Sequence, residues 1–208
     1  MVTPASFWDR AAAKYDRKTA KGPNYKARID RAIQWIAPGA VVLDAGCAGG
    51  QITLDLAPHV QRITGIDISS RLITFAEARL AQQAIENAGF KVAPPEDPAL
   101  EPGSFDAITA YSLLHLVEDA PATVRRFHEL LKPGGRLIAE LPCKEQVGLH
   151  FRILIRLMQL VGKAPSVHLY RRAEYQRMFQ DGGFAVQEMK IYNPASLNTS
   201  VFAIKETG

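Results

Sequence analysis

Cysteine is scarce in this chain of 208 residues: Cys47 and Cys143 stand far apart, without metal-ligand spacing. That excludes a disulfide framework and a cysteine zinc site, and it suits a reducing, cytoplasmic compartment. Long apolar runs are also missing. The N-terminal stretch MVTPASFWDR holds no run that would read as a secretory signal. The most apolar stretch, Val147 to Lys163, carries Arg152, Arg156 and Lys163 and is too short for a membrane span. Charge of one sign is not in large excess. A net charge of +4 and no basic tract interleaved with aromatics argue against a dedicated nucleic-acid-binding arm. No internal repeat or low-complexity tract occurs.

What is present fits one α/β domain. The length supports one full core, and an apolar content of 47% against 22% charged is that of a globular chain. The organising stretch is VVLDAGCAGG, residues 41 to 50. Val41, Val42 and Leu43 read as a short buried strand that Asp44 closes. A turn of small residues follows, and Gln51 to Ala57 then has helical spacing. Strand, glycine turn and helix open an α/β nucleotide site, the glycines allowing close approach of backbone to ligand. A dinucleotide fingerprint starting at Gly46 would need glycine at Ala48 and Gln51, so it fails twice. An anion at Asp44 would repel phosphates, which suggests a ligand with a cationic or hydrogen-bond-donating end.

The rest of the chain alternates strands and helices. Residues 5–18 and Tyr25 to Ile36 read as helices, separated by a break at Lys21-Gly22-Pro23 and closed by Pro38-Gly39. Arg62 to Ile68 is the second strand, and Asp67 sits 23 residues beyond Asp44. A carboxylate at that spacing can accept both hydroxyls of a ribose, with Ile68 against the base. The alternative, that Asp67 caps the helix Ser70 to Gln83, is not needed, because Ser69 can do so. A weak third strand spans Phe90 to Ala93, and in the proline-rich loop after it Glu96 or Asp97 could meet a base amino group. The fourth strand is Phe105 to Ala110, with Asp106 at its structural end and Tyr111, Ser112 and His115 at the carboxyl edge, where ligands bind in open sheets. A helix from Asp119 to Leu131 ends at KPGG, and Gly135 to Leu141 is the fifth strand. The helix Arg172 to Asp181 and two strands, Phe184 to Tyr192 and Ser200 to Lys205, close the chain.

Asp44-x-Gly46-x-Ala48-x-Gly50, the block FDAITAYSLLHL and KPGGRLIAE together resemble the class I S-adenosylmethionine-dependent methyltransferases, with Ala48 where that family usually has glycine. FWDRAAAKYD resembles the N-terminal helix that folds over the cofactor in the ubiquinone-type group. The resemblance implies a Rossmann-like α/β fold: a seven-stranded, mostly parallel sheet in the order 3-2-1-4-5-7-6, helices on both faces and a helical lid. It implies one methyltransferase domain over 1–208: cap helices in 1–38, a cofactor-binding core in 40–142, a lid in 145–170, and a last helix with an antiparallel strand pair in 171–208. S-adenosylmethionine would be held by Asp44, Ala45, Gly46, Cys47 and Gly50, by Asp67 and Ile68, by Tyr111 and Ser112, and near its methionine end by Tyr15, Tyr25 and Arg28.

His115 is the candidate general base, since imidazole titrates near neutrality; a packing or cofactor-contacting histidine is the other reading. Cys143 is read as a small wall residue rather than a nucleophile. No Asn/Asp-Pro-Pro-Tyr/Phe follows the fourth strand, and there is no paired-glutamate motif and no acidic cluster for a metal. These absences leave a small or lipid-like molecule as the expected partner; the hydrophobic stretch Val147 to Lys163, read as a lid rather than as a core or membrane-surface helix, points to an apolar acceptor. The alternatives are a phospholipid or quinone acceptor met at a membrane surface, a nucleotide-dependent oxidoreductase, and a binding protein without catalysis.

Overall fold

Strand β1 (Val41–Ala45) is apolar on both faces because both are covered. Successive side chains of a strand point to opposite faces. Val42 joins a core with Ile29 and Ala32 of helix α2 (Tyr25–Trp35). Leu43 joins the opposite core with Phe127 of α5 (Ala120–Leu130) and Phe179 of α6 (Arg172–Asp181). The computed structural model describes residues 3–18, 24–150, 153, 157, 167–192 and 198–206.

The remaining elements are α1 (Pro4–Lys18), α3 (Gln51–Leu56), β2 (Arg62–Asp67), α4 (Ser70–Leu80), β3 (Ala88–Val92), β4 (Phe105–Tyr111), β5 (Leu131–Pro142), β6 (Phe184–Lys190) and β7 (Asn198–Lys205). The strands form one sheet in the order β3-β2-β1-β4-β5-β7-β6, the order the resemblance implies. β1 to β5 run parallel, and β7 lies antiparallel between β5 and β6.

Local chemistry sets the boundaries. Ser69 caps α4 by accepting from the Leu72 amide at 3.2 Å, and Asp119 caps α5 by accepting from Ala122 at 2.9 Å. Asp106 receives the Val41 amide and the Lys132 ammonium, each at 2.8 Å, at the end of the sheet away from the carboxyl edge. Several boundaries differ from expectation: β3 begins at Ala88 rather than Phe90, α4 ends at Leu80 rather than Gln83, β6 ends at Lys190 rather than Tyr192, and β7 begins at Asn198 rather than Ser200. The largest difference is in β5. The strand after α5 begins at Leu131, before KPGG, because Leu131 pairs with Phe105 and the register then jumps to Ala107–Arg136. The glycine-rich stretch is therefore an irregularity inside β5, with Gly134 at a φ of +71°. Of the expected lid helix, Arg152, Arg156, Gln159 and Lys163 lie outside the described residues. Leu149, Ile153 and Leu157 are described and exposed.

Candidate active site

The carboxyl ends of β1, β2, β4 and β5 open into one cleft with two lobes. A wide lobe of about 520 Å³ is lined by Asp67, Ile68, Leu72, Ala93 and Pro94 from the sheet side, with Pro4, Trp8 and Tyr15 of α1 above. A narrow lobe of about 330 Å³ is lined by Tyr25, Arg28, Asp44, Cys47, Glu140 and Tyr192, among others. Tyr15, Gly46, Ala48, Tyr111 and Ser112 line both. Each volume suits a small-molecule site.

The turn after β1 is folded tightly against β2. The amides of Gly46 and Cys47 both donate to the Ile66 carbonyl, at 2.8 and 2.9 Å. Gly46 has a φ of +73°, and a Cβ there would meet the Leu113 side chain at 3.1 Å. Two residues that are not glycine also adopt positive φ: Ala48 at 48° and Ser112 at 56°. Both line both lobes. Left-handed backbone at an alanine costs about 1–2 kcal/mol, and such strain tends to gather where ligands bind.

The carboxylates are held in different ways. Asp44 is 2% exposed and accepts from the hydroxyls of Thr53 (2.5 Å) and Thr109 (2.7 Å), while burial pushes its pKa up. Each of its oxygens has accepted one bond and can accept another, and the residue lines the narrow lobe. Asp67 accepts from the Ser69 amide at 2.9 Å and the Ala48 amide at 3.1 Å; burial raises its pKa against the lowering effect of those bonds. In the narrow lobe, Glu140 is 3% exposed, its Oε2 lies 2.7 Å from Arg28 Nε, and it accepts from Asn198 at 2.9 Å and Ser200 at 3.1 Å. The Arg28 Nε–H is buried without an aligned acceptor, so the Glu140 pairing is an ion contact. The guanidinium also lies over the Tyr111 ring, 4.9 Å from its centroid.

The profile of a family described as a methyltransferase domain matches residues 36–183, most of the chain. The chain belongs to this methyltransferase family. Ubiquinone biosynthesis O-methyltransferase of Xanthomonas campestris pv. campestris is 38% identical over 112 residues, 53% of this chain and 46% of the relative. The chain thus spans about half the length of the curated relatives it matches. Among solved structures, one chain of the complex between the Haloferax volcanii Trm112 methyltransferase activator and a methyltransferase superposes with a TM-score of 0.78 at 17% identity, covering 99% of this chain and 100% of that one. Magnesium protoporphyrin IX methyltransferase of Synechocystis PCC 6803, solved with bound S-adenosylhomocysteine, gives 0.76 at 18% identity, covering 97% and 98%. The fold is that of the class I methyltransferases, and S-adenosylmethionine is the cofactor of this class.

Most residues singled out from the methyltransferase motifs meet in the cleft: Tyr15, Tyr25, Arg28, Asp44, Gly46, Cys47, Asp67, Ile68, Tyr111 and Ser112 all line it. Burial, with the neighbouring Asp55 carboxylate, raises the pKa of the Tyr25 hydroxyl. Ala45 is fully buried in the core. Gly50 is turned from the lobes toward Phe90 and Ala76, which a Cβ would meet at 2.6 and 2.8 Å. His115 is outside the linings of both lobes; burial lowers its pKa to about 4, and its Nδ1 is buried without a partner. Cys143 is 2% exposed, lies 3.3 Å from the Thr199 hydroxyl and also lines neither lobe. Of the two loop carboxylates, Glu96 lines the wide lobe and bonds Thr123 at 2.8 Å, while Asp97 is held outside by Lys91. Glu140, Asn198 and Tyr192 were not singled out in the sequence. A glutamate at the end of the apolar run RLIAE was the one available signal for the first.

Proposed function

We propose that this methyltransferase carries a methyl group from S-adenosylmethionine to a small apolar acceptor, a quinone-like ring being the first candidate, and that it does so in the cytoplasm. The observation that carries the cofactor placement is the distribution of charge along one continuous cleft. At the wide lobe Asp67 offers acceptors to a ribose diol, Ile68 and Pro94 offer apolar faces to a base, and Glu96 offers an acceptor to a base amino group. At the narrow lobe Arg28 is the sole lysine or arginine among the described lining residues, and it suits the methionine carboxylate. Asp44, with acceptor capacity left, suits the ammonium beside that carboxylate. The cradle between them is Gly46, Ala48 and Ser112.

When bound, S-adenosylmethionine supplies an electrophilic methyl on sulfur for in-line displacement by a nucleophile of the acceptor. The chain's own contribution is orientation and exclusion of water, which can account for a large part of such a rate enhancement. His115, expected as a base, lines neither lobe and is a weakly basic buried imidazole, which favours its packing reading over proton transfer from an acceptor in the cleft.

The acceptor class rests on the ubiquinone biosynthesis relative and on an apolar surface. Leu149, Ile153 and Leu157 recur every fourth residue, are 66, 51 and 56% exposed, and interleave in sequence with Arg152 and Arg156. That pattern favours, as a second reading, a lipid-like acceptor met at an anionic membrane surface. Among the described residues no helix is long and apolar enough to cross a membrane.

The test is calorimetric titration with S-adenosylmethionine and S-adenosylhomocysteine, followed by mass spectrometry of hydroxylated quinol acceptors with tails of varied length. Micromolar binding is expected, weakened at least about tenfold by Asp67→Ala and by Arg28→Met, about the worth of one charge-assisted hydrogen bond. A folded protein that binds neither ligand overturns the cofactor assignment, and binding without methylation of any quinol overturns the acceptor class. Liposome co-sedimentation lost on reversing Arg152 and Arg156 would support the membrane reading; indifference to lipid would reject it.

A further inference from the structure

We propose that Arg79, with Asp16, is a positioning pair that latches α1 over the wide lobe and sets how fast the cofactor product leaves. This rests on the cofactor placement above and goes beyond it. α1 supplies Pro4, Trp8 and Tyr15 to the lobe, so a ligand seated on Asp67 lies beneath this helix. Among the described residues, polar contacts at both ends of α1 hold it to α4 and its cap. At one end Asp9 accepts from the Ser69 hydroxyl at 2.7 Å and the Arg71 amide at 3.1 Å. At the other, Arg79 clasps both oxygens of Asp16, at 2.9 and 2.5 Å, and the same guanidinium donates to the Gly49 carbonyl at 2.6 Å.

The second contact is the one that reaches the site. Gly49 lies in the turn after β1 and lines the narrow lobe. Arg79 therefore ties three pieces together: the covering helix, the helix after β2 and the cofactor-binding turn. A Cβ on Gly49 would collide with the Asp16 carboxylate and the Arg79 guanidinium, so glycine is needed there for the latch to close. The side chains of Arg79 and Asp16 are 29% and 14% exposed, so the pair is shielded from solvent more than an ordinary surface pair. Its bidentate geometry adds direction to the attraction. The side chains of Arg79 and Asp16 themselves line neither lobe. Its role is to make opening of α1 and loosening of the Gly49 carbonyl one event.

Trp8 on α1 reports the motion, while the other tryptophan, Trp35, packs against Phe202 at 5.5 Å in the core that Val42 shares with α2. Stopped-flow tryptophan fluorescence would follow release of S-adenosylhomocysteine from the wild type, Arg79→Met, Asp16→Asn and the double variant. Release is expected to quicken about tenfold in either single variant, the ratio that 1.4 kcal/mol produces. The double variant should be no faster than the faster single one, because both break the same clasp. Arg79→Lys should recover part of the slow release, and melting temperatures without ligand should move little. Asp16→Asn preserves the side-chain shape, so it decides the matter if Arg79→Met does not fold. Unchanged release in the variants, or multiplying effects in the double variant, overturns the latch while leaving the cofactor assignment intact. A wild type that binds no S-adenosylhomocysteine overturns both.

Discussion

Acidification should weaken the fold through His115, by an amount that its surroundings define. The imidazole is largely buried, and burial alone lowers its pKa from 6.5 to about 4. In the unfolded chain it takes a proton as pH falls through the ordinary value; in the folded chain it stays neutral until far lower. The unfolded state thus binds the extra proton between these limits, and stability falls with pH across that window. At about pH 5 the difference amounts to about 2 kcal/mol, and above about pH 7.5 it vanishes. Urea unfolding of the wild type and His115→Leu at the two pH values measures it. His128, whose pKa is also lowered by burial, is present in both proteins and cancels in the comparison. The wild type should lose about 2 kcal/mol more than the variant between the two conditions. Equal losses would show that the histidine is protonated in the folded state, and with it the argument that His115 is a weak base would fall.

Two further outcomes follow from backbone and packing. Ala48→Gly removes left-handed strain at a cost in unfolded-chain entropy, so a net stabilisation of up to about 1 kcal/mol is expected by thermal unfolding; a clear loss would mean that the Ala48 methyl packs usefully against the cleft. Gly65→Ala places a Cβ 2.7 Å from the Phe90 ring, and should cost about 1–3 kcal/mol in urea unfolding. Phe90→Leu in the same chain should recover part of that loss, and no recovery would refute the contact as its cause.

The turn from β1 into α3 was readable because local chemistry specifies it: an apolar run, a carboxylate, then residues small enough for positive φ. The helix Arg172–Asp181 was likewise readable in full, from its spacing and the glycines behind it. Contacts across the sheet were not readable. Asp44 was read as facing a ligand with a cationic or hydrogen-bond-donating end; its hydroxyl partner Thr109, 65 residues away, was not foreseen, because only the sheet order brings that residue alongside. The start of β5 was missed because KPGG reads as a turn; a single distant pairing, Phe105 with Leu131, draws it into the strand. Arg79 was invisible for the same reason, with partners 63 and 30 residues away. Periodicity reports which face of an element is buried and carries no information on which distant carbonyl a guanidinium will meet.

The antiparallel placement of β7 has a practical consequence for handling the protein. Asn198 pairs with Pro142 at the cleft end of the sheet, whereas Lys205 comes back beside Phe184 and donates to the carbonyls of His128 and Leu131 at the far end. A label carried at Glu206 therefore sits on the side opposite the substrate opening. A label carried at Pro4 sits in the wall of the wide lobe itself. A probe for binding measurements thus belongs near Glu206 rather than near Pro4.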